Sequence, residues 1–362
     1  MKVALIGAGR IGQVHAQYIR EQPGIEQLVV CDREAEVAAR VGARFGAQST
    51  FDDVGAMLDA VHPDVVHVCT PPALHVAPAL LALEAGAYVL VEKPMTLDVA
   101  DLPRLEAAVV RRPGALCVDH NFLFEPEMLM ARRWLQEGQI GAVCGADMFY
   151  GADTAVGIAE PGAWSRQLPG GRFTDLLPHA IYLLMHVLGE VRGVEARSSA
   201  AGGGPTDAAT DLCAVLDCER GVGSIRVSLV AIPWELALTI RGTEGMIRVD
   251  FAKQTALLLR PRLHLGRRLA QVVLGLDVGR QAIRGSIERF WGKANGRLRG
   301  YPGMRTLIGH FYRSVREGLA PPVSYAEGAA TVAASQRIRE ALQAARTSQR
   351  ERASGEPRRL TA

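Results

Sequence analysis

The sequence of 362 residues predicts an α/β domain with a doubly wound parallel sheet, followed by an α+β domain with a mostly antiparallel open sheet. Over residues 1–120, short apolar β-rich runs alternate with helical patterns, as in a parallel sheet covered by helices. Beyond residue 143 the apolar runs follow one another through short turns, which is typical of an antiparallel sheet with one covered face. A chain of this length can form two separate cores.

The predicted boundaries follow this change of pattern. We expect a first domain at 1–120, a second at 121–345 and a disordered polar tail at 346–362. Strands of the first domain are predicted at residues 3–6, 27–31, 47–50, 65–69, 88–91 and 115–118. Strands of the second are predicted at residues 143–150, 191–199, 210–218, 223–230, 235–241, 245–251 and 255–259.

Composition excludes several classes of protein. With 48% hydrophobic and 22% charged residues, the chain is not globally disordered. No apolar run approaches the roughly 18 residues of a membrane span, and the run at the start is too short for a secretory signal, so a cytoplasmic location is expected. The six cysteines form no C-x-x-C pair, which predicts reduced core thiols and no metal site. A formal charge of +3 does not predict a nucleic-acid partner.

A glycine motif follows the first strand and leads into a helical pattern. The motif has the spacing G-x-G-x-x-G and comprises Gly7, Gly9, Arg10, Ile11 and Gly12. Gly7 allows a tight turn, Gly9 a close approach of the backbone to a pyrophosphate, and Gly12 close packing of helix on strand. The helix N-terminus attracts phosphate charge. The motif therefore predicts a dinucleotide site.

The end of the second strand bears on the choice of cofactor. Asp32 lies where a carboxylate can accept hydrogen bonds from the adenosine ribose and repel a 2′-phosphate, which favours NAD. Arg33 can instead pair with a 2′-phosphate, so NADP stays open as the alternative. Asp32 is also a good N-cap for the following helix, which is compatible with ribose binding.

Two further strand ends supply candidate residues. Thr70 and Pro71 follow the fourth strand and are expected to form one wall of the cofactor cleft, while His75 is consistent with ligand binding, capping or packing. Lys93 follows the fifth strand, between Glu92 and a proline. Ligands bind at the carboxyl edge of open α/β sheets, so Lys93 is a candidate for chemistry, although many such lysines are only solvated.

A helix predicted between the first two strands of the second domain carries Asp175 and His179. Residues four apart lie on one helical face, so both side chains can point into one cleft while neighbouring leucines pack elsewhere. A carboxylate beside an imidazole favours proton transfer from a hydroxyl as hydride leaves the same carbon. A helix-terminal carboxylate and a packed histidine explain the same pattern equally well.

Together these motifs resemble the family of glucose-fructose oxidoreductase and inositol dehydrogenase (Gfo/Idh/MocA). The resemblance covers residues 1–345 and rests on the glycine motif, Thr70-Pro71-Pro72 with His75, Glu92-Lys93-Pro94, Asn121 after the sixth strand, and glycines followed by Asp175-x-x-x-His179. It implies a Rossmann domain, a second domain whose open sheet serves in homo-oligomerisation, and an NAD(P)-dependent oxidoreductase acting on sugars, cyclitols or nucleotide-linked sugars. Glu92, Lys93 and Asn121 are then expected to contact cofactor as well.

The resemblance also implies roles for three residues. His179 accepts the hydroxyl proton, Lys93 and Asp175 polarise and orient the substrate, and nicotinamide takes the hydride. Three positions depart from the family pattern: Pro169 replaces a glycine, Leu177 replaces a glycine, and Tyr182 replaces an acidic residue. The alternatives are a redox-neutral epimerase or lyase that recycles its NAD, and a non-catalytic dinucleotide-binding sensor.

The segment 260–300 is the part that the resemblance explains least. It holds ten basic residues against Asp277 and Glu288, a formal +8 within a chain of +3. Apolar residues recur at helical spacing, which predicts a basic amphipathic helix pair. Such helices can lie peripherally on the anionic inner face of a membrane, which would favour a nucleotide-linked or lipid-linked sugar substrate. The alternative is a helix pair packed on its own domain or in a dimer interface.

Overall fold

A computed structural model describes residues 1–151, 167–200, 209–261, 265–296 and 300–354. The chain forms two compact units. The first comprises Met1–Glu125 and Asn295–Val332, and the second comprises the described parts of Pro126–Ala294 and Ala333–Ala362.

The first unit contains a six-stranded sheet in the order β3-β2-β1-β4-β5-β6, and all of its strand pairs are parallel. The strands are β1 Lys2–Ile6, β2 Gln27–Cys31, β3 Ser49–Phe51, β4 Val65–Val68, β5 Tyr88–Val91 and β6 Leu116–Val118. Apart from the edge strand β3, most of their side chains are buried, as expected for a parallel sheet with helices on both faces. The carboxyl ends of β1, β4, β5 and β6 therefore meet at one edge.

Helices connect these strands. They are α1 Arg10–Arg20, α2 Ala35–Phe45, α3 Val54–Val61, α4 Val76–Glu84 and α5 Leu102–Arg111, with short 3₁₀ turns at Pro72–Leu74, Val99–Asp101 and Asn121–Phe124. Asp53 caps α3 by accepting a hydrogen bond from the Ala56 amide at 2.7 Å. Two later helices are α9 Pro302–Glu317 and α10 Tyr325–Ser354, of which α10 contributes residues up to Val332 to this unit.

The second unit contains a seven-stranded sheet in the order β13-β12-β11-β7-β10-β9-β8. Its strands are β7 Val143–Gly151, β8 Val191–Ser199, β9 Asp211–Cys218, β10 Gly221–Ser228, β11 Leu236–Gly242, β12 Met246–Asp250 and β13 Thr255–Leu259. Only β7 and β10 pair in parallel; the other described pairs are antiparallel. The predicted mostly antiparallel sheet is confirmed.

Helices cover parts of this sheet in the described portion of the unit. They are α6 Pro126–Gln136, α7 Phe173–Leu188 and α8 Arg267–Ala294. α7 packs on β7, β9 and β10, while α6 contacts β12 and β13, and α8 contacts β13. α7 is buried over almost its whole length, including Leu176, Leu177, Leu183 and Leu184, which the sequence predicted to pack.

The structure differs from the predicted boundaries in the return of residues 295–332 to the first unit. Within that unit, α9 buries Leu307, Ile308 and Phe311, and the Tyr301 amide donates to the Tyr18 hydroxyl at 2.9 Å. An amphipathic pattern shows that a helix packs, but not on what, so the sequence placed this helix in the second domain.

Three smaller expectations also need correction. The basic segment forms the single helix α8 instead of a helix pair, and residues 262–264 and 297–299 lie outside the described residues. The predicted tail is helical as far as Ser354, with 355–362 outside the described residues. All six cysteines are free, but Cys144 and Cys213 are exposed on the second sheet and are not core thiols.

Candidate active site

The glycine turn between β1 and α1 has the shape that a dinucleotide requires. A Cβ on Gly7, whose φ is +91°, would lie 2.6 Å from the Cys69 carbonyl carbon, and one on Gly12 would lie 2.0 Å from the Gly7 oxygen. A Cβ on Gly9, in contrast, would meet no atom within 4 Å apart from those of its neighbours in the chain. Gly9 is also the N-cap of α1 and supplies no side-chain cap. The first amides of α1 therefore have no side-chain acceptor from the N-cap residue, and the space in front of them can accept a pyrophosphate.

Asp32 is held beside this turn. One of its oxygens accepts a hydrogen bond from the Ala8 amide at 2.8 Å, and the other accepts from the Glu34 amide at 3.1 Å. Carboxylate oxygens have further lone pairs, so Asp32 can still accept from ribose hydroxyls. The neighbouring Arg33 side chain is 82% exposed and lies 3.9 Å from Glu34.

His75 ties two loops of the first unit together. Its ring nitrogens lie 2.7 Å from the Thr70 oxygen and 2.8 Å from the Pro94 oxygen. Burial lowers the pKa of His75, and a neutral imidazole donates to only one of these two carbonyls at a time. With both nitrogens facing protein carbonyls, His75 positions the loops after β4 and β5, which is the packing role that the sequence allowed, and its contact with cofactor stays a prediction.

Lys93 follows β5 at the carboxyl edge of the sheet. Its side chain is half-buried, its amide donates to Glu92 Oε2 at 3.1 Å, and its bond to Pro94 is cis. Burial, and then the Lys93 charge, lower the pKa of His120 to about 3. Asn121 opens the 3₁₀ turn after β6 and is buried, with its carbonyl so close to Gly303 that a Cβ there would lie 2.4 Å away.

Below Lys93 lies a buried ionic network that sequence reasoning missed. His15 Nε2, on α1, lies 3.1 Å from Glu92 Oε1 and 3.3 Å from Asp119 Oδ2. His15 Nδ1 lies 2.8 Å from Nδ1 of His67, whose Nε2 lies 3.1 Å from the Tyr312 hydroxyl. Glu92 places Oε1 against His15 Nε2 and accepts the Lys93 amide at Oε2, and its contact with cofactor stays a prediction.

The pKa shifts define the charges in this network. Burial lowers the pKa of His15, but Cys69, Asp119 and Glu92 outweigh burial and raise it well above 6.5. Burial and the His15 charge hold the pKa of His67 far below 6.5. His15 is therefore an imidazolium that donates to the neutral His67, and His67 donates from Nε2 to Tyr312.

The two carboxyls respond differently. Burial raises the pKa of Glu92, but the hydrogen bond and charge of His15 bring it below 4.5. Burial and the Glu92 charge raise the pKa of Asp119 to about 6, against the opposing effect of His15. Glu92 is thus the main counter-ion of His15.

The same three side chains place ligand-type atoms within 4.8 Å of one another, a spacing that suits a cation. A metal would need the lone pair of His15 Nε2, which holds a proton in the imidazolium. The arrangement therefore favours a charge network. One signal in the sequence pointed to it: His15 and His67 occupy positions in otherwise apolar patterns, where a polar residue needs a partner.

In the second unit, Gly170 and Gly171 lead into α7 with φ values of +87° and +63°. The Thr174 hydroxyl donates to the Pro169 oxygen, and a Cβ on Gly170 would lie 2.9 Å from that hydroxyl. Glycine is thus needed at position 170. Pro169 departs from the family pattern, but its carbonyl accepts the Thr174 hydrogen bond, which a proline can do as well as a glycine. Asp175 follows in the first turn of α7.

His179 lies one helical turn later among aromatic residues. Its Nδ1 lies 2.8 Å from the Tyr182 hydroxyl, and the Tyr182 and Tyr150 rings lie 5.6 and 6.3 Å from its ring. The histidine is 8% exposed. If Nδ1 donates to the phenol oxygen, Nε2 is left with a lone pair that can accept a proton. Tyr182 departs from the family pattern, but its hydroxyl still gives the His179 imidazole a hydrogen-bond partner at Nδ1.

Family models match both domains that the sequence predicted. Residues 1–120 match the oxidoreductase family with an NAD-binding Rossmann fold (GFO_IDH_MocA), and residues 128–248 match the GFO/IDH/MocA C-terminal domain. The chain belongs to the Gfo/Idh/MocA family. The predicted family, fold class and NAD-binding Rossmann domain are thereby confirmed.

Curated relatives of this chain include several sugar dehydrogenases. D-glucoside 3-dehydrogenase of Escherichia coli is 32% identical over 208 residues, which are 55% of this chain and 57% of that protein. Levoglucosan dehydrogenase of Pseudarthrobacter phenanthrenivorans is 25% identical over 293 residues, covering 71% of this chain and 75% of that protein. The first alignment thus spans little more than half of the relative.

Solved structures share the fold over nearly the whole length. Levoglucosan dehydrogenase in complex with NADH and levoglucosan has a TM-score of 0.78 at 21% identity, covering 95% of this chain and 97% of that one. UDP-N-acetylglucosamine 3-dehydrogenase of Acidithiobacillus ferrooxidans has a TM-score of 0.72 at 23% identity, covering 95% and 98%. At these identities the likeness concerns the fold.

Proposed function

We propose that this family member is an NAD-dependent dehydrogenase that transfers hydride between a CH–OH carbon of a sugar or cyclitol and nicotinamide. The observation that carries the proposal is Lys93, half-buried at the carboxyl edge of the NAD-binding sheet and anchored through Glu92 to a buried imidazolium. Such an anchor holds the backbone of Lys93 in one position, which catalysis by alignment requires.

The roles follow from the chemistry of each side chain. When bound, nicotinamide supplies the hydride acceptor. The Lys93 ammonium donates hydrogen bonds to the reacting oxygen and stabilises its negative charge, while Asp175 accepts from a substrate hydroxyl. His179 receives the hydroxyl proton at Nε2 as its Nδ1 proton is held by Tyr182.

Asp32 supports NAD over NADP, since its carboxylate beside the glycine turn would repel a 2′-phosphate. The Arg33 guanidinium lies 3.9 Å from the Glu34 carboxylate, which competes with a 2′-phosphate for this cation. Thr70, Pro71 and Asn121 stay proposed cofactor contacts.

The substrate class rests on the relatives, whose names include D-glucoside, levoglucosan and UDP-N-acetylglucosamine dehydrogenases. These names favour net oxidation over a redox-neutral epimerase or a sensor. A homo-oligomer is also proposed through the second sheet, where β9 and β10 expose Val215 and Val222 on the same face.

The test measures NADH formation with a panel of sugars, cyclitols and nucleotide sugars. Lys93→Met and His179→Asn should each lower kcat by about two to four orders of magnitude, with NADH binding retained. Lys253→Met is the matched control, because the Lys253 side chain is 68% exposed and its ammonium pairs with the nearby Asp250.

Three results would contradict the proposal. Unchanged turnover in both active-site variants would remove their assigned roles. Tight binding of the cofactor with no reduction of NAD⁺ by any compound would indicate a sensor, and product without net NADH would indicate redox-neutral chemistry.

A further inference from the structure

Helix α8 has an inner face that is fixed to the second sheet. The Gln281 amide group bonds to both the amide and the carbonyl of Leu258 at 2.9 Å, and Gly285 lies against Thr255. Farther along, Arg289 donates to the Lys253 oxygen at 2.8 Å. These contacts fix which side of α8 faces away from the sheet.

The outward side is apolar. Seven large side chains there are between 53% and 69% exposed: Leu269, Val272, Leu276, Ile283, Ile287, Phe290 and Trp291. The first six are three, four or seven residues apart, and Trp291 lies four after Ile287, so all seven make one continuous row along the helix, here called the α8 stripe. The opposite side of α8 is the one bonded to the sheet, so this row is exposed to solvent. An exposed apolar row of this size marks an interaction surface.

Basic residues flank the α8 stripe. Arg280 and Arg284 are exposed on one side of it and Arg268 on the other, although Arg284 also bonds to Glu288 at 2.8 Å. The wider segment carries a formal +8 from Arg260, Arg262, Arg267, Arg268, Arg280, Arg284, Arg289, Lys293, Arg297 and Arg299 against two acids. Because the whole chain is +3, the remainder is net negative. The positive charge is concentrated on this one helix and its flanks.

We propose that the α8 stripe docks on an anionic lipid surface, with the helix lying in the plane of the headgroups. Apolar side chains enter the acyl boundary, exposed arginines pair with anionic headgroups, and Phe290 and Trp291 sit at the interface. Among the described residues no helix is long and apolar enough to cross a membrane. If the α8 stripe docked on the α8 stripe of a second copy, two segments with a formal charge of +8 would meet and repel each other.

The experiment is co-sedimentation of the full chain with vesicles of phosphatidylcholine, alone or mixed with phosphatidylglycerol, at low and high salt. We expect binding to mixed vesicles at low salt, little binding to phosphatidylcholine alone, and weaker binding at high salt. Ile283→Glu should weaken binding about tenfold, and Arg280→Gln with Arg284→Gln should also weaken it.

The matched control is Val110→Glu. Val110 is 69% exposed on α5 of the first unit and Ile283 is 65% exposed, so both substitutions add one carboxylate at an exposed position and should leave thermal unfolding unchanged. Val110→Glu should bind vesicles like the unmodified chain. Light scattering of each variant reports the oligomeric state.

Four outcomes would overturn the proposal. They are no binding to mixed vesicles at low salt, equal binding to both vesicle types, equal effects of Ile283→Glu and Val110→Glu, and an oligomer that dissociates in Ile283→Glu without any vesicle binding. The last would assign the α8 stripe to a second copy. None of these outcomes depends on turnover, so the proposed catalytic chemistry is tested separately.

Discussion

His15 lies next to Glu92, the neighbour of Lys93, and His179 is a proposed active-site residue; both histidines are buried, yet their surroundings differ in kind. His15 lies between two carboxyls, 3.1 Å from Glu92 and 3.3 Å from Asp119, and is fully buried. His179 has a phenol as its partner, 2.8 Å away at Tyr182, with a second tyrosine ring nearby. A carboxylate holds a proton on imidazole, whereas a neutral hydroxyl lets the proton exchange. His15 is suited to structure and His179 to proton transfer.

The largest expected effect comes from removing the buried cation. His15→Leu should lower the free energy of unfolding by about 3–5 kcal/mol at pH 8, because Glu92 is left as an unpaired buried charge. The loss should shrink towards pH 5, where both carboxyls take up protons in the folded variant. Urea unfolding at both pH values measures it.

The control for this variant is Gln17→Ala, an exposed position on the same helix, which should change stability by no more than about 0.5 kcal/mol. A loss for His15→Leu that is equal at pH 5 and pH 8 would mean that packing, and not the ionic network, explains the effect.

A second prediction concerns an acid that lacks such a cation. Burial raises the pKa of Glu125 to about 7, only partly offset by the hydrogen bond from the Gly303 amide. Because the folded pKa exceeds the unfolded value of 4.5, the stability of the chain falls as pH rises from 4.5 to 7. Glu125→Gln mimics the protonated acid and should stabilise the protein by about 2 kcal/mol at pH 8 but not at pH 4.

Thermal unfolding across this pH range tests the Glu125 prediction, with Glu137→Gln as the control. Glu137 is an exposed acid that pairs with Arg133 at 2.7 Å, so its replacement should produce no such gain at pH 8. A destabilised Glu125→Gln at pH 8 would show that Glu125 is ionised and needed in that form.

The smallest effect is expected at the neutral partner of His179. Tyr182→Phe should lower kcat about tenfold by releasing the imidazole, with little change in NADH binding. Tyr182→Glu, which restores an acidic residue, should move the lower limb of the pH profile upward by about one pH unit. Leu177→Gly restores the glycine of the family pattern at a second position, and its kcat with the same substrates is compared with that of the Tyr182 variants.

An identical pH profile in Tyr182→Glu and the unmodified protein would contradict the assigned pairing. So would full activity in Tyr182→Phe, because the phenol would then have no part in orienting His179.

The features that the sequence alone determined are those set by residues close together in the chain. The glycine turn, the strand ends at Asp32 and Lys93, and the shared helical face of Asp175 and His179 all depend on residues close together in the chain, where steric rules and periodicity apply. The parallel and antiparallel sheets were predicted for the same reason.

Only the tertiary structure decided which distant groups meet. His15 and Glu92 are 77 residues apart and His67 and Tyr312 are 245 apart, and no local pattern specifies such pairs. The return of α9 to the first unit and the outward row of apolar residues on α8 have the same origin. A helical period records that a face is apolar, but which neighbour covers it, or leaves it exposed, depends on packing across the whole chain.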